Sequence, residues 1–323
     1  MMINDPILVN DWHVVACSQD LAEGDVLSVR LLDEDLVLWR AGSRVLAWKD
    51  LCIHRGARLS LGEIRGESLM CAYHGWTYDA DGRCVKMPAH ADQTPPAKAR
   101  TIQYQAQDRF GWIWVCLGEP AYDIPCFDEW DDPSFHNVHC GPYVAKASGP
   151  RIIENFLDVA HFPFVHAGYL GDEAYPEILD YEVERTSHGV VAKDITVYQP
   201  NADGTGIGRN VTYTYKVLRP LTAYLIKTSD DLAFSIFFAV TPVSELESIG
   251  WMYVNMNDVQ GMSDEQISGF QDTIFGQDVP VVESQRPELL PLDLQAELHL
   301  RSDRLSIGYR RWLNDLGLSF GTS

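Results

Sequence analysis

The segment RIIENFLDVAHFPFVH, residues 151–166, places two histidines and several carboxylate or amide side chains among phenylalanines. If the segment is helical, Asn155, Asp158 and His161 fall within about 60° of one another, and Pro163 ends or kinks the helix just before His166. A half-buried helix would explain any one of these polar groups alone. Two imidazoles with a nearby carboxylate, however, are a ligand set that suits iron(II) when open coordination positions are needed. The segment therefore predicts a metal site whose third ligand lies elsewhere in the chain.

A second group of metal-ligating side chains lies in CIHRG, residues 52–56, and CAYHGW, residues 71–76. Each segment supplies one cysteine and one histidine: Cys52 with His54, and Cys71 with His74. A structural zinc site is the alternative, but its usual spacing places two cysteines in one segment and two histidines in the other. One of each per segment instead matches a Rieske [2Fe–2S] centre, in which cysteines hold one iron and histidines the other. The remaining cysteines are expected to be buried thiols: Cys17, Cys84, Cys116, Cys126 and Cys140.

The composition restricts the class of protein in which these motifs act. The chain has 323 residues and a formal net charge of −21. That charge disfavours binding to nucleic acid or to anionic membranes, which relies on lysine and arginine neutralising phosphates. The sequence lacks a long apolar run and a basic signal-peptide start, so we expect a cytoplasmic protein. Seven cysteines, an odd number, also fit a reducing compartment better than a disulfide framework.

The pattern along the chain indicates an α+β protein with two domains. Residues 10–118 read as short strands, including a hairpin that turns at Ala41-Gly42-Ser43 and an aromatic-rich strand, FGWIWVCL. Proline, glycine and aspartate interrupt residues 119–150, which we interpret as a linker between a domain at 1–118 and one at 151–323. Strand-like stretches in the second domain predict an antiparallel sheet, and helices are expected near 264–285 and 302–316. The cluster GTGIG, residues 204–208, lacks the spacing of a dinucleotide-binding loop and precedes a strand, so it is interpreted as a turn.

The two metal motifs, in this order, resemble the oxygenase (alpha) subunit of Rieske non-haem iron aromatic-ring hydroxylating systems. The resemblance extends from NDWHVVACSQDL through both motifs to FGQDVPVVESQRP and the final YRRWL. It implies an N-terminal all-β Rieske domain and a helix-grip catalytic domain with mononuclear iron(II) on two histidines and one carboxylate. The matching positions are His161 and His166 for the iron, Asp158 for a bridging aspartate, and Asn155 for a residue close to the iron in some members. A homotrimer is also implied, in which Asp158 joins His161 to a Rieske histidine of the neighbouring subunit.

The third iron ligand is predicted from helical periodicity as well as from the resemblance. If residues 267–285 are helical, Asp278 lies within about 40° of an apolar stripe, whereas Asp272 lies about 120° away. A buried carboxylate needs a partner or a metal. Pro280 weakens this argument because it should kink the helix, but the family pattern around QDVPVVE points to the same residue. We therefore predict that Asp278 is the third ligand and that Asp272 is solvated.

These observations predict a terminal oxygenase that hydroxylates an aromatic or similar apolar small molecule, including by O- or N-demethylation. Two histidines and one carboxylate leave coordination positions open for O2 beside the substrate, and the Rieske cluster supplies electrons one at a time. No nicotinamide or flavin motif is visible, so a separate NAD(P)H-dependent reductase, with or without a ferredoxin, is implied. The alternatives are a ring-dihydroxylating dioxygenase, a Rieske electron carrier with a vestigial second metal site, and a zinc-bound hydrolase.

The sequence indicates the substrate pocket less directly. Candidate wall residues are Phe156, Val159, Phe162, Trp251 and Phe275, although an aromatic residue near a motif more often belongs to a core. The basic residues that could meet a substrate carboxylate, or remain solvated, are Arg209, Lys216, Arg219 and Lys227.

Overall fold

The computed structural model describes residues 5–202, 206–229 and 232–323, which form two compact units. The first unit extends to Ile124 and the second begins at Pro125. The predicted linker, residues 119–150, spans this division and includes a ten-residue strand, His136–Ala145, of the second unit. Each unit builds its own β-sheets, in agreement with the predicted α+β class.

The first unit is almost entirely β-structure. Its elements are helix α1 (Pro6–Val9) and strands β1 (His13–Cys17), β2 (Val26–Leu31), β3 (Glu34–Ala41), β4 (Arg44–Lys49), β5 (Glu63–Ile64), β6 (Ser68–Met70), β7 (Thr77–Asp79), β8 (Cys84–Lys86), β9 (Gln103–Arg109) and β10 (Trp112–Cys116). Six strands form an antiparallel sheet in the order β1-β10-β9-β4-β3-β2. The other four form a smaller antiparallel sheet in the order β5-β6-β7-β8.

The hairpin of β3 and β4 shows why these residues form strands. Trp39 pairs with Leu46, and the predicted turn contains Gly42 at a φ of 59°, a conformation that glycine adopts without steric cost. Trp39 and Trp48 are fully buried, with ring centroids 4.9 Å apart. The burial of these large aromatic surfaces stabilises the strand pair. The predicted hairpin and the predicted aromatic strand, now β10, are both confirmed.

The second unit is one large antiparallel sheet with helices packed on it. Its elements are β11 (His136–Ala145), α2 (Gly149–Leu157), α3 (Phe162–Val165), β12 (Glu182–Thr186), β13 (Gly189–Gln199), β14 (Arg209–Arg219), β15 (Thr222–Ser229), β16 (Leu232–Ser244), β17 (Glu247–Met256), α4 (Asp264–Ser284) and α5 (Arg304–Leu316). The strand order is β11-β17-β16-β15-β14-β13-β12. The predicted sheet and both predicted C-terminal helices are confirmed. Gly208 directly precedes β14, whereas Gly204 and Thr205 of the predicted turn lie outside the described residues. No helix in the described part of the chain is long and apolar enough to span a membrane.

Side-chain alternation gives this sheet two different faces. Phe238 of β16 pairs with Met252 of β17, and both line an internal cavity. The neighbouring pair, Phe237 and Tyr253, points to the opposite face, where the ring of Phe127 stacks on Phe237 at 4.8 Å between centroids. One face of the sheet therefore forms a packed core, and the other forms a wall of the cavity.

Helix α4 lies along the edge strand β11 and passes the cavity. The ring of Phe275 stacks on Tyr143 of β11, with centroids 4.5 Å apart. Pro280 lies inside the helix without ending it. Proline removes the hydrogen bond to the carbonyl of Gly276, and both residues are exposed, so water can satisfy that carbonyl. The helix therefore continues through the position at which a kink was expected.

Candidate metal centres

Helix α2 ends earlier than the sequence predicted. Its last residue is Leu157, and the chain then turns because Oδ1 of Asp158 accepts the backbone N–H of Ala160 at 2.8 Å. Such a local side-chain bond competes with the hydrogen bonds of a continuing helix. The prediction of one helix from Asn155 to His161 is therefore wrong at its C-terminal end.

Two histidines flank the short helix α3. Pro163 lies in the first turn of α3, where its missing N–H is not needed, so it begins a helix instead of ending one as predicted. His161 precedes this four-residue helix and His166 follows it. Their Nε2 atoms lie 3.1 Å apart. The turn and α3 together bring both predicted histidines to one point.

Asp278 of α4 completes a group of three potential ligands. Its Oδ1 lies 3.5 Å from Nε2 of His161 and 3.1 Å from Nε2 of His166. Ligands on one face of an ion, with bonds of about 2.1 Å, are about 3 Å apart, so this spacing fits a metal. The side chain of Asp278 is only 13% exposed and that of His166 only 1%, so water can solvate these polar groups only in part. The donor set fits an iron(II) site with open positions.

The second nitrogen of each histidine has a hydrogen-bond acceptor. Nδ1 of His161 lies 3.1 Å from Oδ2 of Asp158, and Nδ1 of His166 lies 2.8 Å from Oε1 of Gln277. An oxygen acceptor at Nδ1 favours the tautomer that carries its proton there, which leaves the Nε2 lone pair available to a metal. Both imidazoles are thus oriented towards Asp278.

Gln277 is a functional candidate that the sequence analysis missed. On a helix it points about 100° away from Asp278, so the apolar stripe that identified Asp278 gives no signal for it. Its long side chain nevertheless reaches the imidazole of His166. The sequence feature that could have identified Gln277 is its position next to Asp278, the predicted carboxylate ligand.

The remaining predicted residues of this region separate into two groups. Nδ2 of Asn155 lies 3.5 Å from Oδ1 of Asp278, which places Asn155 beside the three potential ligands. Asp272 is exposed and accepts a hydrogen bond from the hydroxyl of Tyr143 at 2.8 Å. Asp272 therefore lies outside the cluster.

The three potential ligands open into a cavity of about 360 Å³. Three of its predicted wall residues line it: Phe156, Phe162 and Phe275. Val159 and Trp251 are not among its lining residues, so the prediction is wrong for both: Val159 is buried, and Trp251 is buried with its indole N–H bonded to Oγ1 of Thr241 at 2.8 Å.

Of the four basic residues considered, only Lys227 lines this cavity. The ammonium group of Lys216 instead lies 5.7 Å from the centre of the Tyr224 ring. Arg209 and Arg219 are not among the lining residues. Of these four residues, Lys227 is therefore the one that could still meet a substrate carboxylate in the cavity.

The first unit brings the two cysteine-histidine segments together in matching loops. In one loop the backbone N–H of Gly56 donates to the carbonyl of Cys52 at 2.9 Å, and in the other Gly75 donates to Cys71 at 3.0 Å. Both glycines have positive φ, 72° and 68°, which lets each loop turn sharply beside its cysteine. Both thiols are buried.

The two histidines of these loops lie side by side, as a cluster would require. The rings of His54 and His74 have centroids 4.5 Å apart. Nδ1 of His54 is buried and has no hydrogen-bond partner among the described residues, which fits a metal ligand. Burial, with the nearby His74 and Arg55, lowers the pKa of His54 and keeps its imidazole in the neutral form that binds metals.

A tyrosine contacts one of the thiols. The hydroxyl of Tyr78 lies 3.1 Å from Sγ of Cys52, and both residues are buried. Burial and the neighbouring Cys52 raise the pKa of Tyr78, so its hydroxyl keeps its proton and can donate it to the sulfur. The other cysteines are buried thiols as expected, except Cys126, which is exposed and lies outside the helices and strands.

Two family profiles match the chain in the predicted order. The Rieske [2Fe-2S] domain matches residues 11–104, and the vanillate O-demethylase oxygenase C-terminal domain matches residues 145–318. The second match alone covers more than half of the chain and includes His161, His166 and Asp278.

Relatives match over nearly the full length. Methylxanthine N1-demethylase NdmA of Pseudomonas putida is 33% identical over 98% of this chain and 91% of its own length. The vanillate O-demethylase oxygenase subunit of a Pseudomonas strain is 29% identical over 88% of this chain and 95% of its own. The solved structure of Pseudomonas putida CBB5 NdmA with caffeine superposes with a TM-score of 0.84 at 31% identity, covering 95% of this chain and 90% of that one.

Proposed function

This chain belongs to the Rieske non-haem iron oxygenase family, and we propose that it removes a methyl group from a nitrogen or oxygen atom of an aromatic compound. It is the terminal oxygenase component of its system, with a Rieske [2Fe–2S] cluster and a mononuclear non-haem iron as cofactors. It uses O2 and receives its electrons from a separate reductase. We place the protein in the cytoplasm and expect a homotrimer.

The observation that carries the proposal is the position of the histidine pair and Asp278 at the wall of an aromatic-lined cavity. Phe156, Phe162 and Phe275 give this cavity apolar aromatic walls, which suit a flat apolar molecule. The names of the relatives, an N-demethylase and an O-demethylase, support loss of a methyl group rather than hydroxylation of the ring.

The proposed iron ligands are His161, His166 and Asp278. An iron(II) ion held there would supply the centre at which O2 is activated. Asp158 and Gln277 hold the Nδ1 protons of the two histidines and so keep both Nε2 atoms directed at Asp278. Asn155 adds an amide donor beside the carboxylate.

The proposed reaction balances as a monooxygenation. O2, two electrons and two protons convert one methyl C–H bond to C–OH and release one water. The carbon–nitrogen or carbon–oxygen bond of the resulting hydroxymethyl group then breaks, which releases formaldehyde and leaves a hydrogen on the heteroatom. The protein's part is to bind the methyl group at the open side of the three ligands.

The electrons enter through the first unit. We assign Cys52 and Cys71 to one iron of the cluster, and His54 and His74 to the other. Asp158 is assigned to electron transfer between the two centres, through the ring of His161 and a Rieske histidine of a neighbouring subunit. A Rieske electron carrier with a vestigial second site would have no need to keep all three iron ligands together.

The proposed function is tested by measuring formaldehyde with the purified protein, a surrogate NADH-dependent reductase and a panel of N-methyl and methoxy aromatics. We expect one formaldehyde for each O2 consumed with at least one compound. A hydroxylated product that keeps its methyl group would indicate that the enzyme hydroxylates the ring and does not demethylate the substrate. Absence of any product from a protein replete in iron and cluster would favour the electron-carrier alternative.

A further inference from the structure

Two side chains make the cavity wall polar at one point. Nε2 of Gln199 donates to the hydroxyl oxygen of Tyr213 at 2.6 Å. Gln199 is 2% exposed and Tyr213 is 3% exposed, and both line the cavity. They come from the neighbouring strands β13 and β14. A buried pair on two paired strands is held in a fixed orientation.

This hydrogen bond leaves the proton of the Tyr213 hydroxyl available. The oxygen of Tyr213 already accepts from Gln199, so its own O–H is directed elsewhere. Within residues 5–202, 206–229 and 232–323, no acceptor for that proton is found. Burial raises the pKa of Tyr213, so the hydroxyl remains a donor over the physiological range. A buried donor without an acceptor is costly unless a ligand or water supplies one.

The donor and the metal ligands line the same cavity. The ring of Phe162 neighbours both Tyr213 and His161, with its centroid 6.1 Å from that of Tyr213 and 5.0 Å from that of His161. One bound molecule can therefore contact the wall at Tyr213 while it occupies the cavity that the metal ligands line.

The charges on the cavity wall disfavour an anionic ligand. Lys227 is the one lysine or arginine among the described lining residues, and its Nζ already donates to the carbonyl of Ala202 at 2.7 Å. Asp258 also lines the cavity and adds a negative group to that of Asp278. Among these lining residues a carboxylate ligand could pair only with Lys227, and its burial beyond reach of that ammonium group costs several kcal/mol or forces it to take up a proton.

We propose that the cavity selects an uncharged aromatic heterocycle that carries a ring carbonyl, and that the Tyr213 hydroxyl donates a hydrogen bond to that carbonyl. Gln199 is a positioning residue, because it holds the phenol oxygen and directs its proton into the cavity. This inference rests on the proposed demethylation and adds the charge and the hydrogen-bonding character of the substrate. The family alone leaves both open, since its members include a demethylase named for uncharged methylxanthines and one named for vanillate, a carboxylate.

The test compares three kinds of probe by calorimetric titration of the resting enzyme without reductase, so that no turnover occurs. Caffeine and theobromine are uncharged and have ring carbonyls. 1-Methylbenzimidazole is an uncharged N-methyl heterocycle without a carbonyl, and vanillate is a carboxylate. We expect the wild-type protein to bind a carbonyl probe more tightly than vanillate.

The variants separate recognition from structure. Tyr213→Phe should weaken binding of the carbonyl probes about tenfold, the value of one buried hydrogen bond. It should change the affinity for 1-methylbenzimidazole less than twofold. Gln199→Leu should cause a smaller loss, about threefold, for the carbonyl probes only. The matched control is Tyr224→Phe on the neighbouring strand β15: Tyr224 is not among the residues that line the cavity, and its hydroxyl donates to Oγ of Ser235 at 3.0 Å, so this variant should leave both affinities unchanged.

Three results would overturn the inference: equal losses for both uncharged probe types in Tyr213→Phe, tighter binding of vanillate than of either carbonyl probe, or no binding of either carbonyl probe up to its solubility limit. Formaldehyde production separates this failure from that of the proposed function. If the enzyme demethylates vanillate only, the proposed function stands and the inference fails. If the Tyr213→Phe pattern appears but no formaldehyde forms from any probe, the binding inference stands and the proposed demethylation fails.

Discussion

Oε1 of Gln277 lies 2.8 Å from Nδ1 of His166, so the residue next to Asp278 in the chain orients one of the two imidazoles that face Asp278. We expect Gln277→Leu to reduce iron affinity about 10–100-fold, because the imidazole loses the acceptor that fixes its tautomer and orientation. Iron retained after dialysis against a chelator measures this loss. The absorption spectrum of the [2Fe–2S] cluster should not change.

Gln277→Glu is the conservative comparison. Glutamate keeps an acceptor oxygen at the same reach, so iron binding should remain close to that of the wild-type protein. Equal losses in the Leu and Glu variants would indicate that Gln277 acts through helix packing and not through the histidine.

Alanine variants test the three proposed iron ligands, and Asp272, a second carboxylate on the helix that carries Asp278, provides the control. Asp278→Ala should empty the mononuclear site and abolish formaldehyde release, because two imidazoles alone bind iron(II) weakly. Asp272→Ala is the control, since Asp272 is exposed and bonds only to Tyr143 among the contacts seen. It should keep full iron and change activity less than twofold. His161→Ala and His166→Ala should behave like Asp278→Ala while the cluster spectrum persists, and full iron in Asp278→Ala would contradict the assignment.

The hydroxyl of Tyr78 should raise the reduction potential of the Rieske cluster. A hydrogen bond to a cysteine sulfur stabilises the reduced cluster, which carries one more negative charge. A net hydrogen bond of about 0.5–1.5 kcal/mol corresponds to about 20–60 mV for one electron, so Tyr78→Phe should lower the potential by that amount. Spectroelectrochemical titration measures it. Tyr104→Phe, a change in the same unit, is the control and should leave the potential within a few mV; an unchanged potential in Tyr78→Phe would show that the sulfur receives no bond.

The ligand side chains were predictable because their chemistry is local in the sequence. Cys52 and Cys71 each stand two or three residues before a histidine, and a loop turned by glycine needs only that spacing to bring both to one metal. Asp278 was predictable from helical periodicity, since α4 also buries Ile267 and Val282 on the same side. Pro280 did not disturb the pattern because it faces solvent.

The residue at which α2 ends and the contact between Gln277 and His166 could not be predicted from helical periodicity, because both depend on contacts formed in the folded chain. Asp158 ends the helix by bonding to the backbone of Ala160, so His161 arrives at the site from a turn and not from a helix face. Val159 and Trp251 were predicted to line the pocket because both are apolar and near a motif. Strand alternation and the turn bury them in the core instead.

The two carboxylate oxygens of Asp158 have different partners. Oδ1 accepts the backbone N–H of Ala160, and Oδ2 lies beside Nδ1 of His161, while 34% of the side chain stays exposed and can meet a second partner. Asp158→Asn keeps one acceptor oxygen for the ring N–H of His161 but loses the charge and one acceptor. We expect cluster, mononuclear iron and trimer to be largely retained, and oxidation of the reduced cluster by O2 and substrate in a single turnover to slow by more than about tenfold.

The control for this prediction is Asp172→Asn, because Asp172 accepts the backbone N–H of Ala174 at 2.8 Å in the same kind of turn and, like Asp158, is partly exposed. If Asp158 only supported its turn, both variants would leave electron transfer unchanged, and a normal rate in iron-replete Asp158→Asn would contradict the bridging role. The route between subunits is tested separately by sedimentation under assay conditions. A fully active monomer would require the electron to travel within one chain, and Asp158 would then have no neighbouring Rieske histidine to meet.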